Sequence, residues 1–246
     1  LCLALLAHAL HEGEQFAAIM REREALIGLL ERLSGNRIHY SINTIGGVRR
    51  EVDARLARAW DETIDGLRPH GEAVAQTAGA ARDLTLRGGK RFRAGMLVAA
   101  FTGVAPRAAT EPAFAAAVAL ELLQTYLLAQ DDWMDGDPVR RGGPSVHAAL
   151  ARVFGDEHKG ACSAMLAGDL TWGLAVRTLA GARVKADRKL RALDLFCAVH
   201  QDVIVGQQLD ILGAAENIEA MHALKTGSYT VRGPLLLGAT LAGASK

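Results

Sequence analysis

The chain has 246 residues, half of them apolar and 22% charged, with 28 Lys+Arg against 27 Asp+Glu. That length buries a sizeable core, and the balanced charge excludes both a disordered chain and a general polyanion-binding surface. Any anion binding must therefore be local, and neither a nucleic acid nor a membrane partner is implied.

The three cysteines, Cys2, Cys162 and Cys197, stand too far apart for metal-ligand spacing, which predicts a reduced cytoplasmic protein in which they are small buried residues. The opening apolar run, Leu1 to Leu10, has no basic residue before it and is soon followed by His11, Glu12 and Glu14, so it predicts neither a signal peptide nor a membrane span. A start without Met suggests a longer reading frame. Helical character dominates from there. Apolar residues recur at three- and four-residue spacing over 17–33, 54–66, 72–86, 111–130, 146–153, 161–182, 187–212 and 217–226, with breaks at Gly46-Gly47, Gly88-Gly89, Gly103 to Pro106, Gly136 to Pro144 and Gly155. No strand alternation competes, so the fold class is all-α.

Gly88-Gly89-Lys90-Arg91-Phe92-Arg93 reads as a turn into a helix, where free backbone N–H groups and the side chains of Lys90 and Arg93 suit an anion. It is not a Walker loop, because the first glycine and the Ser/Thr after the lysine are missing. Further on, an apolar helix carrying Gln124 and Tyr126 ends in Gln130-Asp131-Asp132-Trp133-Met134-Asp135. Asp131 and Asp135 are one turn apart and Asp132 is adjacent, so the three carboxylates are expected to converge on one volume. Taken alone, they read as a Mg2+ site or as solvated acids, although the helix macrodipole disfavours negative charge at this end. Gln124 lies two turns earlier on the same face, where a buried amide needs a partner such as a substrate phosphate. Arg140 and Arg141 follow on a Gly/Pro-shaped loop, either as phosphate donors or as solvent-exposed charges.

Two families are visible in these residues. Over 1–52, Gly35-Asn36-Arg37-Ile38-His39 and Ile45-Gly46-Gly47-Val48-Arg49-Arg50 resemble the large subunit of nickel-iron hydrogenases and the related subunit of NADH:quinone oxidoreductase, without that family's cysteine ligands. Over 53–246 the Gly-Gly-Lys-Arg-x-Arg turn, Gln124 seven residues before Asp-Asp-x-x-Asp, and Arg-Arg-Gly-x-Pro resemble the polyprenyl (trans-isoprenyl diphosphate) synthases. Ala167-Gly168-Asp169, Gly206-Gln207-Gln208-Leu209-Asp210 and Lys225-Thr226-Gly227-Ser228-Tyr229-Thr230 extend the likeness. A junction of two coding sequences near 51–54 is expected.

The second resemblance implies an isoprenoid-synthase-type helical bundle, a homodimer, and a cytoplasmic prenyltransferase that joins isopentenyl diphosphate to an allylic diphosphate. It assigns Asp131, Asp132 and Asp135 to Mg2+, and Arg140, Lys225, Thr226 and Gln207 to the allylic diphosphate. Lys90, Arg93, Gln124 and Arg141 match contacts to isopentenyl diphosphate. An aromatic residue at the position of Tyr126 is associated in the family with short products, about C15 to C20 here. The family's second aspartate-rich motif does not occur before Lys246, so the chain as given is expected to be inactive or nearly so. A non-catalytic scaffold related to the hydrogenase large subunit is the competing expectation.

Overall fold

The computed structural model describes residues 48–213 and 218–244, with backbone alone for Ala220, His222 and Thr226. The helix expected over 17–33, the Gly35-Asn36-Arg37-Ile38-His39 loop, Ile45-Gly46-Gly47 and Cys2 lie outside these residues. The described part is all-α apart from one two-residue hairpin, and Val48 onward forms one compact unit.

Helix α1, Val48–Leu67, runs unbroken through residue 52 and buries Val48, Val52, Leu56 and Trp60 at four-residue intervals, the spacing of a single helical face. After one 3-10 turn over Arg68–His70, α2, Glu72–Leu86, buries Ala75, Ala78, Ala81 and Leu84. Alanine at these positions lets the helix axes approach. Trp60 Nε1 donates to Thr85 Oγ1 at 3.0 Å, and that hydroxyl lies 3.0 Å from the hydroxyl of Thr125 on the helix over Glu111–Met134. Three helices are thus tied by a fully buried polar relay in which no indole N–H is left unpaired.

Helix α4, Glu111–Met134, is the axis of the fold, buried over most of its circumference. It is long and apolar enough to cross a membrane, but 78% of its apolar window is covered by the rest of the chain, as befits a core helix. Helices α3, Phe92–Val104, and α9, Gly233–Ala242, are absent from the periodic segments read in the sequence. Both are apolar all round, so no 3.6-residue stripe marks them. They pack tightly against each other: a Cβ added at Gly238 would stand 2.3 Å from the carbonyl oxygen of Leu97. Helix α5, Val146–Phe154, and α6, Glu157–Ala180, meet equally closely at Gly160. Asp156 caps α6 by accepting from the Lys159 backbone N–H at 2.8 Å.

Helix α7, Ala186–Ile211, runs in the same sense as α4 at the described site, bringing its C-terminal end to the aspartates. The helix expected over 217–226 begins as α8, Ile218–His222, and then winds into a π-helix over Ala223–Arg232. The break at Gly136 to Pro144 contains a hairpin of β1, Val139–Arg140, and β2, Gly143–Pro144. Its central residues, Arg141 and Gly142, have φ of 52° and 74°, the left-handed pair that a type I′ turn requires. The cysteine expectation needs correction. Cys162 and Cys197 are exposed, because each falls on the solvent side of its helix while alanines and Phe196 fill the inner face.

Candidate active site

The three aspartates at the end of α4 are not equivalent: Asp132 is buried, Asp131 half-buried and Asp135 exposed, with Arg140 close to both Asp131 and Asp132. Adjacent helical residues point about 100° apart, so Asp132 turns under the hairpin, fully buried, and pairs with the guanidinium of Arg140. Burial raises the Asp132 pKa above the ordinary carboxyl value, although Arg140 pulls the other way, and Oδ2 has no partner. Asp131 and Asp135, one turn apart, stay on the open side. Asp131 lies 3.7 Å from Arg140 and 3.7 Å from Lys225 Nζ.

The hairpin aims its two arginines apart. Arg140 reaches the aspartates, with Asp137 also 3.4 Å away. Arg141 turns toward the Gly88-Gly89 turn, donating to the Leu84 carbonyl at 3.3 Å, its guanidinium carbon 3.5 Å from where a Cβ on Gly89 would stand. Arg87, at the end of α2, fixes this hairpin by donating to the carbonyls of Arg140 (2.9 Å) and Pro144 (2.6 Å). Burial, helped by the nearby charges of Arg91 and Arg93, holds Arg141 below the usual guanidinium pKa. Several cations crowd here, as they would around an anion.

Arg91, unassigned from the sequence, organises that turn. Its side chain is 2% exposed and clamps Asp53 on α1 (2.8 Å), Glu121 on α4 (2.7 Å) and the Thr85 carbonyl (2.8 Å). Lys90 before it is exposed. Arg93, in the first turn of α3, donates to Thr230 Oγ1 at 2.9 Å and lies 4.2 Å from the centre of the Tyr229 ring, close enough for a cation–π contact. Its Nε is buried without a partner.

The π-helix supplies the remaining wall. Bonding from i to i+5 brings Lys225, Tyr229 and Thr230 onto one side, a pattern that π-turns commonly show at functional sites. The Tyr229 hydroxyl, buried and with its pKa raised chiefly by desolvation, donates to Gln124 Oε1 at 2.7 Å. The partner expected for Gln124 from substrate is thus met on this side by tyrosine. Lys225 pairs with Asp210 of α7 and, at 3.7 Å, with Asp131, so its ammonium lies between carboxylates from two helices. Burial works against that charge, but Asp210, Asp131 and Asp135 together hold the pKa above the ordinary lysine value. The side chain of Thr226 lies outside the described residues.

Gly206 makes this close approach possible. A Cβ there would stand 2.5 Å from the Lys225 backbone nitrogen and 2.8 Å from its Cα. In an open helix Gly→Ala stabilises by up to about 1 kcal/mol, but here the clash is with backbone that cannot rotate away. Gly206→Ala is therefore expected to destabilise by about 1–3 kcal/mol, read as a lower urea midpoint. A gain in stability would show that the π-helix does not rest on α7 in this way.

These elements enclose one cavity of about 150 Å³ whose walls include Asp131, Gln207, Lys225, Arg93, Gln124 and Tyr229, with Leu127, Leu128, Val203 and Ile204 forming its apolar part. Gln207 Nε2 lies 3.9 Å from the Met134 sulfur. Tyr126 is buried beside the cavity, against Trp172 and His200, and does not line it. Among the described residues no three Asp, Glu, His or Cys side chains are gathered to hold an ion by themselves. The donor chemistry nevertheless fits Mg2+. Asp131, Asp135 and Asp210 are hard oxygen donors few in number, which suits an ion that keeps water and substrate phosphate as its other ligands. A lysine ammonium already neutralises two of them.

Asp210, Tyr229, Thr230 and Arg91 are residues that sequence reasoning left without a role, although all four fall inside motifs it quoted. The only signal for Arg91 was its place between Lys90 and Arg93.

Comparison with known proteins concerns the family of the chain. The sequence matches the family described as polyprenyl synthetase over residues 75–246 and the family of the respiratory-chain NADH dehydrogenase 49 Kd subunit over 13–89. Geranylgeranyl diphosphate synthase of Methanosarcina mazei is 30% identical over 201 residues, covering 79% of this chain and 55% of that protein. Farnesyl diphosphate synthase of Haemophilus influenzae is 29% identical over 192 residues, covering 74% and 60%. The chain thus spans somewhat more than half the length of these relatives. The crystal structure of geranylgeranyl pyrophosphate synthase from Corynebacterium glutamicum, complexed with isoprenyl diphosphate and magnesium, superposes with a TM-score of 0.74 at 30% identity, covering 82% of this chain and 61% of that one. Residues 75–246, well over half of the sequence, carry the family pattern, and the chain belongs to the polyprenyl synthetase family.

Proposed function

We propose that residues 53–246 form a prenyltransferase domain that binds an allylic diphosphate in the Asp131–Lys225 cavity and isopentenyl diphosphate beside the Gly88-Gly89 turn, giving products of about C15 to C20. The observation that carries this reading is the two-part cavity: the Asp131 carboxylate, the amides of Gln124, Gln130 and Gln207, and the cations of Lys225 and Arg93 on one part of its wall, and Leu127, Leu128, Val203 and Ile204 on the other. That is the outline of a molecule with a diphosphate head and a hydrocarbon tail.

In the reaction the allylic C–O bond breaks and its electrons leave with the diphosphate. The isopentenyl double bond attacks the allyl cation, and a proton passes to a diphosphate oxygen as the new double bond forms. Mg2+ held by Asp131 and Asp135, with Asp210 beside them, would supply positive charge to the leaving diphosphate. Lys225 and Gln207 stand at that head group, and Arg140 orients the acidic end of α4 through Asp132. Arg93, Arg141 and Lys90 surround the second anion position, and no side-chain nucleophile is needed. The apolar walls exclude water from the cation.

Calorimetric titration of the chain with geranyl S-thiolodiphosphate, an analogue that resists C–O cleavage, tests the reading. Binding is expected with Mg2+ present and not with EDTA, and Asp131→Asn is expected to weaken it by about tenfold or more. Metal-independent binding, or none, would overturn the proposal.

A further inference from the structure

The hairpin that carries Arg140 and Arg141 has strands of only two residues, too few pairs for such a ribbon to hold its own place. Something outside it must set where the two arginines point. Their side chains have contacts of their own, Arg140 to Asp132 and Arg141 to the Leu84 carbonyl. Each, however, is a cation that the function proposed above puts beside a diphosphate, so those contacts are open to exchange with a ligand.

Arg87 is bound differently. It donates to the Arg140 carbonyl on β1 at 2.9 Å and to the Pro144 carbonyl on β2 at 2.6 Å, so one guanidinium spans both strands. Its targets are backbone atoms, and these bonds persist whatever the side chains of Arg140 and Arg141 hold. Asp83, one turn back on α2, pairs with Arg87 at 2.9 Å. Gly88-Gly89 follows directly, so a single residue joins the turn at the second anion position to the hairpin. The planar fork of arginine fixes the spacing of its two acceptors, which a lysine ammonium, a point donor, does not.

Gly143 shows how closely this brace is fitted. A Cβ there would overlap Arg87 Nη1 and stand 2.8 Å from the guanidinium carbon. The backbone at 143 is not left-handed, unlike that at Gly142. The space taken by Arg87, and not the turn, is what requires glycine. The Arg-Arg-Gly-x-Pro pattern leaves this position open, so neither half of the contact belongs to the motif.

We propose that Arg87 is a positioning residue for both substrates: by bridging the two strands it holds the hairpin in the orientation that sends Arg140 to the aspartates and Arg141 to the Gly88-Gly89 turn. This rests on the two-diphosphate reading above.

The test is calorimetry in Mg2+ with geranyl S-thiolodiphosphate and, separately, isopentenyl diphosphate, for wild type, Arg87→Met, Arg87→Lys and Gly143→Ala. Arg87→Met is expected to weaken both ligands by about five- to tenfold, the net worth of one hydrogen bond. Arg87→Lys keeps the charge without the fork and should lose nearly as much. Gly143→Ala alters no charged residue but displaces the guanidinium, so it should reproduce the loss, and the double variant Arg87→Met with Gly143→Ala should bind no more weakly than either single. A residue that only stabilised the fold would leave both affinities at their wild-type values. If circular dichroism shows Arg87→Met unfolded, Gly143→Ala decides the matter, because the atoms it displaces end a flexible side chain. Wild-type affinity in Arg87→Lys or Gly143→Ala, or losses that add in the double variant, would overturn the role of Arg87 and leave the substrate reading standing. Failure of both ligands to bind wild type would overturn both.

Discussion

Arg91→Met is expected to lower the free energy of unfolding by about 3–5 kcal/mol, the usual effect of removing one partner from a buried ion pair. Methionine fills nearly the same volume, so the loss would come from electrostatics rather than from a void. Glu121, whose side chain is 7% exposed, would keep its carboxylate in the core with its guanidinium partner gone, and the Thr85 carbonyl would lose its donor. Burial opposes the charge of Arg91, but Glu121 and Asp53 together outweigh it and hold the guanidinium above its ordinary pKa. Against a total stability of about 5–15 kcal/mol, the loss is large enough to unfold much of the protein at moderate urea. The left-handed backbone at Arg91, φ 49°, is no more strained for methionine than for arginine, so it cancels from the comparison. The double replacement Arg91→Met with Glu121→Met should recover most of the lost stability, because an apolar pair of similar volume is often neutral or better. A loss under about 1 kcal/mol in the single variant, or no recovery in the double, would show that the clamp does not bear this load.

Much of the fold is legible where one face is apolar and the other is not. Helices α2 and α7 were read from the sequence to within a residue of their observed bounds, because their buried positions recur every three or four residues. Helices α3 and α9 were not, since an apolar residue on every side leaves no period to read. The π-helix defeats the same test from the other direction: its repeat is wider than 3.6 residues, so Lys225, Tyr229 and Thr230 do not look like one face.

The site divides along similar lines. Asp131, Gln124, Gln207, Lys225 and Arg93 line one cavity, and each was marked by type and motif. Asp132 was grouped with its neighbours because adjacency in the chain suggests proximity, whereas a helix sends adjacent side chains to different surroundings. Arg91, between Lys90 and Arg93, was given no role. Its role depends on Glu121, thirty residues on, and on Asp53, thirty-eight residues back. No local pattern encodes either pairing. His200 was read only as a helix-surface or core residue, because stacking on Trp172 across two helices is invisible until the helices are docked.

Lys225→Met is expected to move two affinities in opposite directions. Without substrate, the ammonium is the counter-ion of Asp131 and Asp210, and Asp135 adds to the same negative field. Removing it leaves three carboxylates with one fewer neutralising charge, so Mg2+ alone should bind more tightly. The group is about a quarter exposed, and a charge beside a divalent ion in such a watery setting is worth about 1 kcal/mol, or roughly fivefold. The gain should shrink as salt is raised. Toward geranyl S-thiolodiphosphate at saturating Mg2+ the sign reverses. The same ammonium then donates to a diphosphate oxygen, and losing a hydrogen bond to a charged group costs about 1.5–3 kcal/mol, or 10- to 150-fold in affinity. A lysine that only stabilised the fold would change both affinities the same way, or neither. Isothermal titration of Mg2+ alone, then of the analogue, separates these cases, and parallel shifts would rule out exchange of the ammonium between carboxylates and diphosphate. The opposition has a functional consequence. On the function proposed above, Lys225 would hold back metal from the carboxylates until a diphosphate arrives to share it, so that the charge drawing off the leaving group would be assembled with the substrate in place.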